Sequence, residues 1–171
     1  YYQTKFRYIL IDEYQDTNHL QFLLAGLLTG SHGNICVVGD DDQSIYRFRG
    51  AKPEIMLGFE KDYPGARRVL LAENYRSSRE IVEASLKLIS RNQVRFKKEL
   101  VPVHGPGRPV DVSVYENPLA EAEGTARRIR QYAQAGFAFE DMAVLFRTGN
   151  GTGLLAEKLM EYNIPFSMRD V

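Results

Sequence analysis

Cysteine, histidine, net charge and long apolar runs are all scarce in this 171-residue chain. The single cysteine, Cys36, excludes a disulfide within the chain and makes a reducing cytoplasm the expected location. It lies inside the apolar run Ile35-Cys36-Val37-Val38, where inert packing in a core is the expected role. The three histidines, His19, His32 and His104, stand too far apart to read as zinc ligands. Lys and Arg number 22 against 22 Asp and Glu, so the overall basic excess of many nucleic-acid binders is missing. Any contact with nucleic acid must then come from local patches. No apolar run approaches the ~20 residues of a membrane span, and the first residues do not resemble a signal peptide, so no membrane partner is expected.

What is present is ordinary globular composition, with 44% hydrophobic and 26% charged residues. Apolar runs of strand type fall at 6–11, 35–39, 68–72, 110–115 and 142–147. Helical patterns alternate with them at 18–28, 53–61, 77–90, 120–135 and 154–162. Asn18, Pro53 and Ser77 suit helix starts, and Gly30, Gly65 and Gly136 suit stops. This alternation predicts an α/β fold with a parallel sheet. The Pro/Gly-dense stretch 101–109 reads as a loop, and 119–135 as an amphipathic helix packed on a second sheet.

The chemistry gathers where strands end, which is where open α/β sheets place their ligands. In YILIDEYQDTN, residues 8–18, an apolar strand runs straight into Asp12, Glu13 and Asp16. A strand with Asp-Glu at its tip can hold Mg²⁺ with one carboxylate and polarise an attacking water with the next. In VVGDDDQSIYRFRGA, residues 37–51, a second strand ends in acids, followed by Gln43, Tyr46, Arg47, Phe48 and Arg49. Rings interleaved with arginines suit single-stranded nucleic acid, where bases stack and cations meet phosphates. The basic run Arg95-Phe96-Lys97-Lys98 reads as a solvated face.

DEYQDTN (12–18), GDDDQSIYRFRGA (39–51) and LAENYRSS (71–78) together resemble consecutive helicase motifs of the UvrD/PcrA/Rep family of superfamily 1. AVLFRT (143–148) and LLAEKLMEYNIPF (154–166) extend the similarity over almost the whole chain. The resemblance implies RecA-like architecture, with the end of a first RecA-like domain at 1–70 and the beginning of a second at 71–171. It implies that Asp12 coordinates the Mg²⁺ of bound ATP and that Glu13 is the general base. Gln43 would sense the γ-phosphate, Tyr75 would pack on the adenine, and Arg76 would be an arginine finger reaching across the inter-domain cleft. Tyr46 and Phe48 would stack on bases, with Arg147 a further DNA contact. The implied partners are single-stranded DNA and duplex junctions, in repair or replication.

No G-x-x-x-x-G-K-[ST] loop occurs in these 171 residues, so an internal piece of a longer helicase, inactive alone, is expected. After AVLFRT the family usually carries Asn followed by Ala-Gln-Ser, whereas this chain has Gly149-Asn150-Gly151-Thr152. The displaced Asn weakens the carry-over at Arg147. The same motifs also fit a RecB- or AddA-type helicase–nuclease subunit, and a non-catalytic DNA-binding module is the third possibility.

Overall fold

Short apolar segments beside the acidic clusters do pair in parallel. In the computed structural model, which describes residues 1–168, β1 (Ile9–Ile11) lies beside β2 (Ile35–Val37). The register aligns Ile9 with Ile35, Leu10 with Cys36 and Ile11 with Val37. Helix α2 (His19–Thr29) makes the crossover between them, following a short helical turn, α1 (Tyr2–Lys5). Asn18 starts α2 through a capping box: its side chain accepts the Gln21 N–H at 3.0 Å, and the Gln21 side chain accepts the Asn18 N–H at 2.9 Å. Gly30, at φ 52, ends the helix.

The chain then forms α3 (Pro53–Leu57), with proline in its first turn, and α4 (Phe59–Asp62). One helix was expected here, but Gly58 divides it. The fully buried Tyr14 packs edge-to-face on Phe59, which stacks on Tyr63. A second parallel pair joins β3 (Glu73–Asn74) to β4 (Val101–Pro102), with α5 (Arg79–Ile89) between them and Val82 on its buried side. The start of the expected loop at 101–109 is thus a short strand.

Two compact units result, Tyr1–Val110 and Asp111–Val171. In the second, α6 (Pro118–Gln134) packs on α7 (Thr152–Glu161). Ala122 and Ala126 form a flat stripe that meets Leu155, Leu159 and Ile164. After α7 the chain turns with Asn163 at φ 53. The N–H of Ile164 reaches the Leu159 carbonyl at 2.8 Å, and the N–H of Asn163 reaches that of Met160 at 3.0 Å. This is a Schellman closure with the Ile164–Leu159 contact that accompanies it.

The fold is therefore mixed α/β with two small parallel sheets rather than one continuous sheet. Segments 68–72, 110–115 and 142–147 are not in strands. A strand exists only with a partner ladder, and these segments find none among the described residues; Leu145 is 93% exposed. For the same reason α6 packs on a helix and not on a second sheet. The expected burial of Cys36 is also overturned. Side chains alternate across a strand, and Cys36 shares its face with Leu10, which is 77% exposed. No helix among the described residues is long and apolar enough to cross a membrane.

The capping box joins α2 directly to the residues that follow the first acidic cluster. Replacement Asn18→Ala is expected to lower stability by about 1 kcal/mol in chemical denaturation, with Asn18→Asp close to wild type.

Candidate active site at the strand tips

Beyond β1 the backbone reverses sharply. Val38 donates to the Ile11 carbonyl at 2.8 Å and Tyr14 donates to the Val38 carbonyl at 2.9 Å, which extends the ladder past both strands. Between these bonds stand Asp12 and Glu13, both exposed. Asp12 Oδ1 accepts the Glu13 N–H at 2.9 Å. Glu13 holds φ 51, a left-handed conformation that for a non-glycine residue stores roughly 1 kcal/mol or more. A turn of 3-10 helix, Tyr14–Asp16, follows and carries the chain into the core.

A hollow of about 260 Å³ opens here, lined by Ile11, Asp12, Glu13, Asp16, Thr17 and Gln21. Burial, and then the charge of Glu13, raises the Asp16 carboxyl above its ordinary value. Its Oδ1 is buried without a hydrogen-bond partner among the described residues. Hard carboxylate oxygens of this kind suit Mg²⁺, but no group of three or more His, Cys, Asp or Glu able to hold a metal ion gathers among the described residues, so an ion at Asp12 would need phosphate oxygens to complete its shell. Burial pushes the neighbouring Tyr14 phenol up to about 12, so it stays protonated.

The tip of β2 lies alongside. Asp40 caps a second 3-10 turn, Asp41–Gln43, by accepting the Asp42 N–H at 3.1 Å. Its other carboxylate oxygen accepts from Gln43 Nε2 at 2.8 Å. Three adjacent aspartates repel one another unless cations are brought in. The chain supplies them from the run after α5. Arg95 grips Asp42 with two bonds, 2.7 and 2.5 Å, and Lys98 reaches Asp40, Asp41 at 2.5 Å and Asp42 at 3.1 Å. The Phe96 N–H completes the set on Asp41 at 2.8 Å. The expectation of a solvated face at 95–98 is overturned for Arg95 and Lys98, because three carboxylates attract them inward.

These contacts set the protonation. Burial alone would raise the carboxyl of Asp40, but hydrogen bonds from Lys98 and Gln43 and the Lys98 charge hold it below its ordinary value. Asp42 is likewise lowered, against burial, by Arg95 and Lys98. Burial alone would lower the Lys98 ammonium, and its bonds to Asp40, Asp41 and Asp42 raise it instead.

The sequence reading passed over Gln15, which ties the two tips together. It is 2% exposed, its Nε2 donates to Glu13 Oε2 at 2.7 Å, and its Oε1 accepts the Asp40 N–H at 3.0 Å. A glutamine between acids carries no periodic or charge signal; only the fold reveals it. Gly39 makes the approach possible, since a Cβ there would lie 2.6 Å from Gln15 Oε1.

Past Gln43 the chain presents Tyr46 and Phe48, with ring centroids 5.8 Å apart and the Arg49 guanidinium over both. Phe48 is 78% exposed, while Tyr46 is half-buried. Main-chain contacts anchor this segment to the first cluster: Lys52 donates to the Thr17 carbonyl at 3.1 Å, and Asn18 bridges to Ala51.

Tyr75 and Arg76 stand together at the end of β3, where Asn74 Oδ1 accepts the N–H groups of Arg76 at 3.1 Å and Ser77 at 2.8 Å. Tyr75 is exposed, with its hydroxyl on Glu73 and its carbonyl 2.5 Å from His104 Nε2. The Arg76 guanidinium is exposed and pairs with no acid among the described residues. No hydrogen bond joins either residue to the carboxylates of the strand tips among the described residues. Arg147, in the second unit, is exposed just before the turn Gly149–Gly151.

Residues 1–64 match the sequence model of the UvrD/REP helicase N-terminal domain, and residues 69–171 that of the UvrD-like helicase C-terminal domain. Relatives include an ATP-dependent DNA helicase PcrA of Staphylococcus aureus, 42% identical over 168 residues, which is 98% of this chain and 23% of the relative. The protein of the same name from Staphylococcus epidermidis is 41% identical over the same shares. The chain thus spans about a quarter of the length of the curated relatives it matches.

Removing the central cation tests the aspartate cluster. Lys98→Met is expected to destabilise the protein at pH 7 by about 2–4 kcal/mol, below the figure for a fully buried pair because Asp40 is partly exposed. Folded Asp40 and Asp42 titrate below their ordinary 3.8, so their contribution is complete above that value and lost as pH falls through the lowered ones. Denaturation curves of wild type and variant are therefore expected to stay apart through neutral pH and to draw together only as the pH falls below 3.8, through the lowered values.

Proposed function

Because the chain belongs to the UvrD-like helicase family, we propose that it is a motor segment of an ATP-dependent DNA helicase or translocase. In this reading 1–70 closes a first RecA-like domain and 71–171 opens a second. The parent protein couples ATP hydrolysis to movement on single-stranded DNA and to opening of duplex junctions, in repair or replication. The observation that carries the reading is the pairing of the two strand tips. Glu13 and Gln43, the proposed base and γ-phosphate sensor, are linked by an unbroken chain of hydrogen bonds through Gln15 and Asp40.

The chemistry assigns one task to each group. An attacking water gives its proton to the Glu13 carboxylate as its oxygen bonds the γ-phosphorus, and the bridging bond breaks with ADP taking the electron pair. Gln43, now donating to Asp40, exchanges that acceptor for a γ-phosphoryl oxygen. The exchange is feasible because Lys98 and the Asp42 N–H keep Asp40 held through Oδ1, and the partly exposed carboxylate can take water at the oxygen that Gln43 leaves. Asp12, with phosphate oxygens, would hold Mg²⁺, which supplies charge neutralisation on the phosphates. The exposed ring of Tyr75 suits stacking on adenine, and Arg76, exposed and without an acid partner among the described residues, suits a finger that meets the transferring phosphoryl group. Tyr46 and Phe48 offer the stacking surface for bases, and Arg147 a phosphate contact. This 171-residue chain contains no phosphate-cradling loop, and its own ATP turnover is expected to be negligible.

Arg76→Lys in the full-length protein is expected to leave DNA binding near normal and cut ATP turnover at least about a hundredfold, since lysine lacks the planar fork. A near-wild-type rate would remove Arg76 from the finger role. Phe48→Ala is expected to weaken single-strand binding by about 1–3 kcal/mol at fixed salt without lowering the melting temperature. Unchanged binding would take Phe48 out of the DNA site.

A further inference from the structure

Gln15 does not reach the hollow beside Asp12, yet it is among the most enclosed side chains of the first unit, and both ends of its amide are used. Its orientation is fixed by chemistry. A flipped amide would set oxygen against the Glu13 carboxylate and N–H against the Asp40 N–H, which is repulsive at both ends. Ser44 adds a third tether, donating its hydroxyl to the Gln15 carbonyl at 3.3 Å. Gly39 passes without a side chain where a Cβ would also crowd the backbone nitrogens of Tyr14 and Gln15, at 3.1 and 3.2 Å. At 2% exposure, water does not compete for these bonds.

Two consequences follow from this placement. The amide occupies Oε2 of Glu13 and leaves Oε1 as the oxygen able to face a water. The other end of the amide rests on Asp40, whose carboxylate holds Gln43 at 2.8 Å. A shift of the Asp40–Gln43 turn therefore moves the acceptor side of the amide, and the amide moves the carboxylate. We propose that Gln15 is a positioning residue that ties the orientation of Glu13 to the Asp40–Gln43 turn, so that the carboxylate aligns only when that turn has engaged a phosphoryl group. The proposal rests on the reading of Glu13 as base and Gln43 as γ-phosphate sensor.

The test is a double-mutant cycle in steady-state, DNA-stimulated ATP hydrolysis by the full-length protein. Gln15→Met keeps the length and shape of the side chain and removes its donor and acceptor. It is expected to lower kcat about ten- to a hundredfold while KM for ATP stays within about threefold. In a Gln43→Ala background the same substitution is expected to cost less than about threefold, because the turn it reports on no longer senses nucleotide. An unchanged kcat in Gln15→Met, or an equal loss in both backgrounds, overturns the proposal. If Gln15→Met unfolds below the assay temperature, Gln15→Glu replaces it in the cycle. That variant keeps the acceptor for Asp40 and turns a carboxylate on Glu13, and additive losses with it overturn the proposal equally. Glu13→Gln separates the two levels of the argument. Full turnover there removes the base assignment and the coupling with it. Abolished turnover, with a wild-type kcat in Gln15→Met, removes the coupling alone.

Discussion

Two parallel strands in register end side by side, and here both end in carboxylates. That juxtaposition governs the surrounding structure. Asp12 and Glu13 stay in solvent, where water screens them, while Asp41 is drawn inward until its side chain is 2% exposed. Burial of that kind requires opposite charge, and Arg95 and Lys98 bring it from more than fifty residues away in sequence. Between the exposed acids and the clamped ones lies a neutral amide, which can donate to one side and accept from the other. No ionised side chain could serve both neighbours.

The clamp also crosses the boundary between the two matched families. The aspartates fall within the residues matched to the N-terminal helicase domain, and Arg95 and Lys98 within those matched to the C-terminal one. All five lie in a single compact unit. The segment from β3 to β4 is thus held to the aspartates Asp40–Asp42 by charge, in addition to its own short sheet.

Local signals were legible where a few neighbouring residues decide the outcome. Asn18 with Gln21 three residues on gives α2 its start, and the apolar spacing of α6 and α7 is visible in the sequence. Strand extent was not legible, because a strand is defined by its partner. The run at 142–147 has the right residues and no ladder among those described, so it forms no strand. Cys36 misled for the same reason: an apolar run reads as buried on both faces, while the sheet built here leaves one face open. Charge runs failed in a third way. The spacing of Arg95 and Lys98 says only that they are basic, and their fate depends on Asp40–Asp42, which sequence distance hides. At the site itself, Asp12, Glu13 and Gln43 stand at the strand tips where the apolar-then-acidic pattern puts them, while Gln15 carried no local signature.

The segment with Tyr46 and Phe48 is attached to the first cluster by main-chain atoms, through Thr17 with Lys52 and Asn18 with Ala51. Attachment through the backbone is indifferent to side-chain identity. Residues 44–50 can therefore change their rings, and hence the chemistry of the surface they expose, without altering the path that holds them. Surface chemistry and attachment are separable here, and selection can tune the first while the second stays fixed.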